Sequence, residues 1–250
     1  MNKNIILNLK NISKKYGEKA GLSSLSITIK KGELVALIGP SGAGKTTLLN
    51  ILTSIVKPDS GNVMIDNKSI DSYKSTKELS KKIGIIRQQF DLVGQLSVIN
   101  NVLAGKLGDW GTLKSIISLL SPREKNLAID SLERVGLTDK LYKKTSTLSG
   151  GEQQRVALAR LLVQNPEIIL ADEPVSSLDP ARAEDILSIL VKLVKEENQT
   201  LISSLHSTQY AKKYFDRIIG LRSGKVFFDL PTKKVTNKDL ESLYSLKENI

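Results

Sequence analysis

The run Gly39-Pro40-Ser41-Gly42-Ala43-Gly44-Lys45-Thr46 fits the spacing G-x-x-x-x-G-K-[ST] at every fixed position. Its chemistry is phosphate binding. Glycines without Cβ let successive backbone N–H groups converge on phosphate oxygens, a helix N-terminus adds about half a positive charge, and Lys45 reaches the β and γ phosphates. Thr46 offers a hydroxyl to Mg²⁺, and Thr47 follows it in the loop-to-helix turn. The motif alone specifies only a bound nucleoside triphosphate. Reaction type comes from "IILADE": an apolar strand ends in Asp172, suited to hold the hydration shell of Mg²⁺. Glu173 beside it is suited to orient and deprotonate an attacking water. A solvated acidic pair at a strand end is the alternative.

A second stretch, "TLSGGEQQR", places two glycines at the start of an expected helix. Ser149 and Glu152 form a capping box, which accounts for both without any ligand. It leaves Gly150 and Gly151 unexplained, since glycine inside a helix costs roughly 0.5–1 kcal/mol relative to alanine. Bare backbone approaching a phosphate explains them, with "VALARLLV" continuing as an amphipathic helix whose positive end faces the anion. Two phosphate loops on one chain need not serve one nucleotide. Two copies packed head to tail set the loop of one against residues 149–151 of the other, giving two composite sites across a two-fold interface.

These residues need a frame. Residues 5–9 and 24–30 read as strands, the second by its alternation "SLSITIK", and "ELVALIG" is an apolar run of buried-strand type. "KTTLLNILTSI" has helical periodicity, and residues 62–66 and 83–87 read as strands. From about residue 90 to 165 the pattern turns helical. There "SPREKNLAIDSLERVGL" opens with Ser121 as N-cap, Pro122 and Glu124, and Leu127, Ala128, Leu132 and Val135 form its apolar face. "EIILADEP" restores a buried strand at 167–172, residues 182–197 read as a helix, "QTLISSLH" as a strand, and "RIIGLRSGKVFFD" as a hairpin turning at Ser223-Gly224. This alternation is that of an α/β sheet with a helical insert.

The 250 residues include no cysteine, which excludes disulfides and thiolate chemistry, and one histidine, His206, which excludes a multi-histidine metal centre. No run of about 18 apolar residues is present, and "MNKNIILNLKN" lacks the apolar core of a secretory signal. The expected compartment is the cytoplasm. Lys+Arg 37 against Asp+Glu 26 leaves +11. That charge suits a nucleotide, a nucleic acid or an anionic membrane face, or else a lysine-rich solvated surface, the basic residues being scattered.

The motifs together resemble the ATPase subunits of ATP-binding cassette (ABC) transporters. "LSGGEQQR" is similar to that family's signature; "GPSGAGKTT", the glutamine after "IGIIR", "IILADEP", "SSLDP" and "SLH" are similar to its other motifs, in the same order. The resemblance covers nearly the whole chain. It implies one α/β ABC ATPase domain over residues 1–250, a P-loop NTPase core with a mixed sheet. Residues 1–89 and 166–250 would form the catalytic core with an N-terminal antiparallel β subdomain, and about 90–165 the helical signature subdomain.

It also implies ATP and Mg²⁺ as ligands, and roles for further residues. Tyr16 in "KKYG" would stack on adenine. Gln88 would touch Mg²⁺ and the attacking water while sensing a membrane subunit. Asp179 of "SSLDP" would sit at the dimer interface near the partner's site, although Asp before Pro is also a common helix start. His206 would contact the γ-phosphate and position water, where a lone histidine after a strand is otherwise a packing residue.

Longer stretches, "RQQFDLVGQLSVINNVLAGKLG" and "SLHSTQYAKKYFDRIIGLRSGKVFFD" among them, resemble the subfamily that energises bacterial phosphonate import, with phosphite or hypophosphite as related substrates. The implied partners are a second copy of the chain, transmembrane permease subunits docked near Gln88, and indirectly a periplasmic or lipid-anchored binding protein. No direct nucleic-acid contact is implied, and the implied location is the cytoplasmic face of the inner or plasma membrane. Arg87 stands where an aromatic residue more often precedes the glutamine, and "HSTQYA" departs from the usual continuation after the histidine. The competing functions are a soluble cassette ATPase acting on nucleic acid or ribosomes, and a P-loop kinase. The kinase leaves residues 149–151 and Glu173 unexplained.

Overall fold

The computed structural model describes residues 4–111 and 124–245, which divide into two compact units. No helix among the described residues is long and apolar enough to cross a membrane.

The first unit contains residues up to Lys74, Leu170–Glu173 and the chain from Gln199 onward. Strands β1 (Ile5–Tyr16) and β2 (Lys19–Lys30) form an antiparallel hairpin, longer than the runs at 5–9 and 24–30 indicated. In β2 the alternation works as expected: Leu25, Ile27 and Ile29 are buried while the residues between them face solvent. With β4 (Ser60–Ile65) and β5 (Lys68–Ser69) they make a four-stranded antiparallel sheet ordered β2-β1-β4-β5.

Strand β3 (Leu34–Ile38) is buried at all five positions, as a central parallel strand covered on both faces must be. It pairs in parallel with β8 (Thr200–Ser204) on one side and β9 (Arg217–Arg222) on the other. β9 turns into β10 (Lys225–Pro231) through Ser223 and Gly224, both at positive φ (50° and 75°), the geometry of a tight hairpin turn. The strand order is β10-β9-β3-β8-β7, where β7 is Ile168–Asp172. Helix α1 (Lys45–Leu52) follows β3 and buries Leu48, Leu49, Ile51 and Leu52.

The second unit holds residues 75–169 and 174–198. It contains α2 (Thr76–Ser80), β6 (Ile83–Ile86), α3 (Val98–Leu103), α4 (Lys125–Arg134), α5 (Gly150–Gln164) and α6 (Pro180–Glu196). α5 buries residues on most of its circumference, including Gln154, Val156, Leu158, Ala159 and Leu161, and packs against α3 and α4. α6 buries Ala183, Ile186, Leu187, Leu190 and Val194, a one-sided stripe at helical spacing.

Two expectations for α4 change. Leu127 is 40% exposed, and Ser131 is buried instead, its hydroxyl donating to the Leu127 carbonyl at 2.8 Å. The opening expected at Ser121 and Pro122 lies outside the described residues. Glu124 has φ −98° and ψ 42°, and α4 begins after it.

Candidate functional site

Residues 39–44 join β3 to α1, and each glycine there is required for a different reason. A Cβ on Gly39 would stand 2.1 Å from the Leu221 carbonyl oxygen; one on Gly44, at φ 104°, would stand 2.5 Å from that of Gly21. Gly42 meets nothing but holds φ 78°. The Gly224 amide donates to the Ala43 carbonyl at 3.1 Å, so the β9–β10 turn braces the loop. α1 starts with no side-chain cap, leaving its first N–H groups for an external acceptor.

Lys45 is 5% exposed and folds back on its own loop, its Nζ donating to the carbonyls of Gly39 (2.8 Å) and Pro40 (3.3 Å). Burial pushes its pKa down, opposed by attraction to Glu173 and Asp172. A buried cation weakly matched by neutral carbonyls is suited to accept an anion.

Asp172 ends β7. Its Oδ1 accepts a hydrogen bond from Ser204 Oγ at 2.7 Å and lies 3.4 Å from Thr46 Oγ1. Ser204 Oγ also accepts from the Glu173 amide at 2.8 Å. Glu173 sits at φ 49°, a left-handed conformation for a non-glycine residue. Its Oε1 lies 2.5 Å from His206 Nε2. With the carboxylate ionised, the imidazole carries its proton on Nε2 and donates it.

Tyr16, Lys19, Ala20, Gly21, Glu173 and His206 line, with residues 41–47, a cleft of about 440 Å³. The Tyr16 ring is half exposed, and Gly21 makes room for it: a Cβ there would lie 2.9 Å from ring atom Cε2. Such a cleft, with an aromatic face at one side, loop amides and a lysine within it, and a paired carboxylate at its wall, can bind a polyphosphate and activate water.

Gln88, Ser149, Gly150, Gly151 and Asp179 belong to the second unit. Gln88 is exposed in the turn after β6. The expected capping box is present: the Ser149 hydroxyl accepts from the Glu152 amide (3.3 Å) and the Glu152 carboxylate from the Ser149 amide (2.8 Å). A Cβ on Gly150 would meet nothing within 4 Å, and one on Gly151 only Arg182 Cδ at 3.9 Å. Among the described residues, no close contact explains this pair. Asp179 caps α6, its Oδ1 accepting from the Arg182 amide.

Ser204 is the site residue that sequence reasoning missed. Its signal was the pair Ser203-Ser204, two successive hydroxyls closing a buried strand. Among the described residues no group of three or more histidine, aspartate or glutamate side chains is placed to hold a metal. One hydroxyl (Thr46) and one carboxylate (Asp172) are hard oxygen donors, the set that suits Mg²⁺ when phosphates and waters complete its shell.

A family model described as "ABC transporter" matches residues 22–176. The phosphonates import ATP-binding protein PhnC 1 of Nostoc sp. is 44% identical over 96% of this chain and 92% of its own length. PhnC of Lactobacillus johnsonii is 41% identical over 96% of each. Among solved structures, the dimeric structure of the bacterial ABC transporter cassette MJ0796 superposes with a TM-score of 0.79 at 35% identity, covering 92% of this chain and all of that one. A post-hydrolysis dimer of that cassette bound to ADP and Pi gives 0.76 at 36% identity, with the same coverage.

Proposed function

The chain belongs to the ABC transporter family, and from that premise we propose that it is the ATP-hydrolysing subunit of an importer for phosphonate or a related reduced-phosphorus oxyanion. The names of its relatives support the substrate class. In this reading it works at the cytoplasmic face of the membrane as a head-to-tail dimer docked on permease subunits, which receive substrate from a periplasmic or lipid-anchored binding protein.

The observation that carries the ATPase assignment is the Glu173–His206 contact at the wall of the cleft that the phosphate loop also lines. The loop amides and Lys45 hold the β and γ phosphates, while Tyr16 offers its ring face to the base. Thr46 and Asp172, with Gln88, would hold Mg²⁺, which when bound offsets phosphate charge. Glu173 takes a proton as a water oxygen bonds to the γ-phosphorus, the β–γ bridging bond breaks, and ADP departs with its electron pair. His206 keeps the Glu173 carboxylate aimed and faces the γ-phosphate. Ser149, Gly150, Gly151 and Asp179 serve the nucleotide of the partner copy.

The reading is tested with the purified chain, by phosphate release from Mg·ATP, and with the assembled transporter, by uptake of labelled phosphonate. Hydrolysis abolished by EDTA, and uptake that requires ATP, are expected. Failure of the chain and the assembled transporter to hydrolyse ATP overturns the enzyme assignment. ATP hydrolysis without phosphonate or phosphite uptake overturns the substrate assignment alone.

A further inference from the structure

The turn after β6 is held in an unusual way. Phe90 and Asp91 both adopt left-handed backbone, at φ 58° and 48°, a region that L side chains seldom occupy. Arg160, from the third turn of α5, reaches their carbonyls: Nη2 donates to Phe90 O at 2.6 Å and Nη1 to Asp91 O at 2.7 Å. Two successive carbonyls match the planar fork of a guanidinium, which a lysine cannot reproduce. Burial pushes the Arg160 pKa down, opposed by Asp91, whose carboxylate also pairs with Arg87 at 3.5 Å.

The same loop is tied further along. Asn101, 2% exposed, accepts from the Val93 amide at 2.8 Å and donates to Thr145 Oγ1 at 2.8 Å. Thr145 in turn donates its hydroxyl to the Leu96 carbonyl at 3.1 Å. Thr145 precedes Ser149 by four residues, on the segment that leads into α5. Arg160 thus grips the loop from α5 and Thr145 from its immediate approach, while Asn101 holds it from α3.

We propose that Arg160 is a positioning residue that locks the turn opened by Gln88 onto helix α5, so that this turn and the glycine pair at the start of the helix move as one body. A displacement imposed on the exposed loop by a docked subunit then reaches residues 149–151 without loss, and closure at residues 149–151 sets Gln88. The kinetic consequence rests on the ATPase reading. The mechanical one does not.

The test uses the full chain with Arg160→Lys, which keeps the charge and most of the stem but loses the planar fork whose two Nη groups meet the two carbonyls side by side. Amide exchange over residues 88–93 should rise without nucleotide. Losing one charge-assisted hydrogen bond should lower kcat on the order of tenfold, with the affinity for Mg·ATP within about twofold of the parent, since uniform binding is not removed. Unchanged exchange, or raised exchange with unchanged kcat, overturns the proposal. So does a joint fall of kcat, affinity and melting temperature, which marks general destabilisation. If Arg160→Lys does not fold, Thr145→Val against Thr145→Ser reads the second tie of the same loop, at Leu96: valine should loosen residues 93–96 and serine should restore them, and equal behaviour of the two overturns the coupling of this loop to the start of α5. A parent chain without ATPase activity sinks the functional reading, while the exchange measurement still decides the clamp.

Discussion

His206 Nε2 lies 2.5 Å from Glu173 Oε1, at the wall of the cleft that contains the phosphate loop. The contact fixes the tautomer of the only histidine in the chain and aims a carboxylate held on left-handed backbone. The two side chains form one unit.

Removing the base should therefore dominate. Glu173→Gln is expected to lower ATP turnover by about 10²–10⁴, the range of a general base, while Mg·ATP still binds. His206→Ala should also be slow, and the double variant no slower than Glu173→Gln alone, because residues acting together are not additive. Single-turnover phosphate release measures all three; strictly multiplicative losses would show that the residues act separately.

Ser204 links Asp172 to the Glu173 backbone. Ser204→Ala removes the hydroxyl that bonds both the Glu173 amide and an Asp172 oxygen, at a cost of about 1–3 kcal/mol in stability. The Mg²⁺ concentration for half-maximal hydrolysis should rise as Asp172 loses its orientation. A thermal melt and a Mg²⁺ titration of activity check both effects, and parent-like values in both would remove Ser204 from the site.

The glycines should separate into two kinds. Gly39→Ala drives a Cβ to 2.1 Å from the Leu221 carbonyl oxygen and should destabilise the fold. Gly150→Ala has open space and should melt at or above the parent temperature, gaining up to about 1 kcal/mol of helix propensity, yet lose ATPase activity. Full activity in Gly150→Ala would mean that bare backbone is not needed there.

The capping box at α5 should titrate. Hydrogen bonds from the Ser149 amide and hydroxyl hold the Glu152 carboxyl below its ordinary 4.5. A carboxylate with a lowered folded pKa contributes stability that is fully present above the unfolded pKa and is lost as pH falls through the folded one. The stability difference between the parent and Glu152→Gln should thus be constant above about pH 5 and shrink below it. A constant difference down to pH 2 would contradict the cap's dependence on charge.

The phosphate loop was legible because its residues are contiguous: strand, glycine turn, lysine and helix follow one another within one stretch, and local rules suffice. The hairpin at Ser223-Gly224 and the box at Ser149 and Glu152 were legible for the same reason. What escaped were ties between distant segments. The bond from Ser204 to Asp172, the bracing of Ala43 by Gly224 and the grip of Arg160 on Phe90 and Asp91 join residues 32, 181 and about 70 positions apart. No periodicity reports them. Leu127 was misplaced because apolar spacing alone does not tell which edge of a helix stripe is covered, and a buried serine with a carbonyl partner took its place.

The most direct test of the composite site is sedimentation of the Glu173→Gln chain in saturating Mg·ATP, alone and with Gly151→Val added. A species of twice the monomer mass is expected with ATP, and the added valine should abolish it while nucleotide still binds. A chain that binds Mg·ATP stoichiometrically and stays monomeric, or a dimer indifferent to valine at position 151, would contradict the composite site.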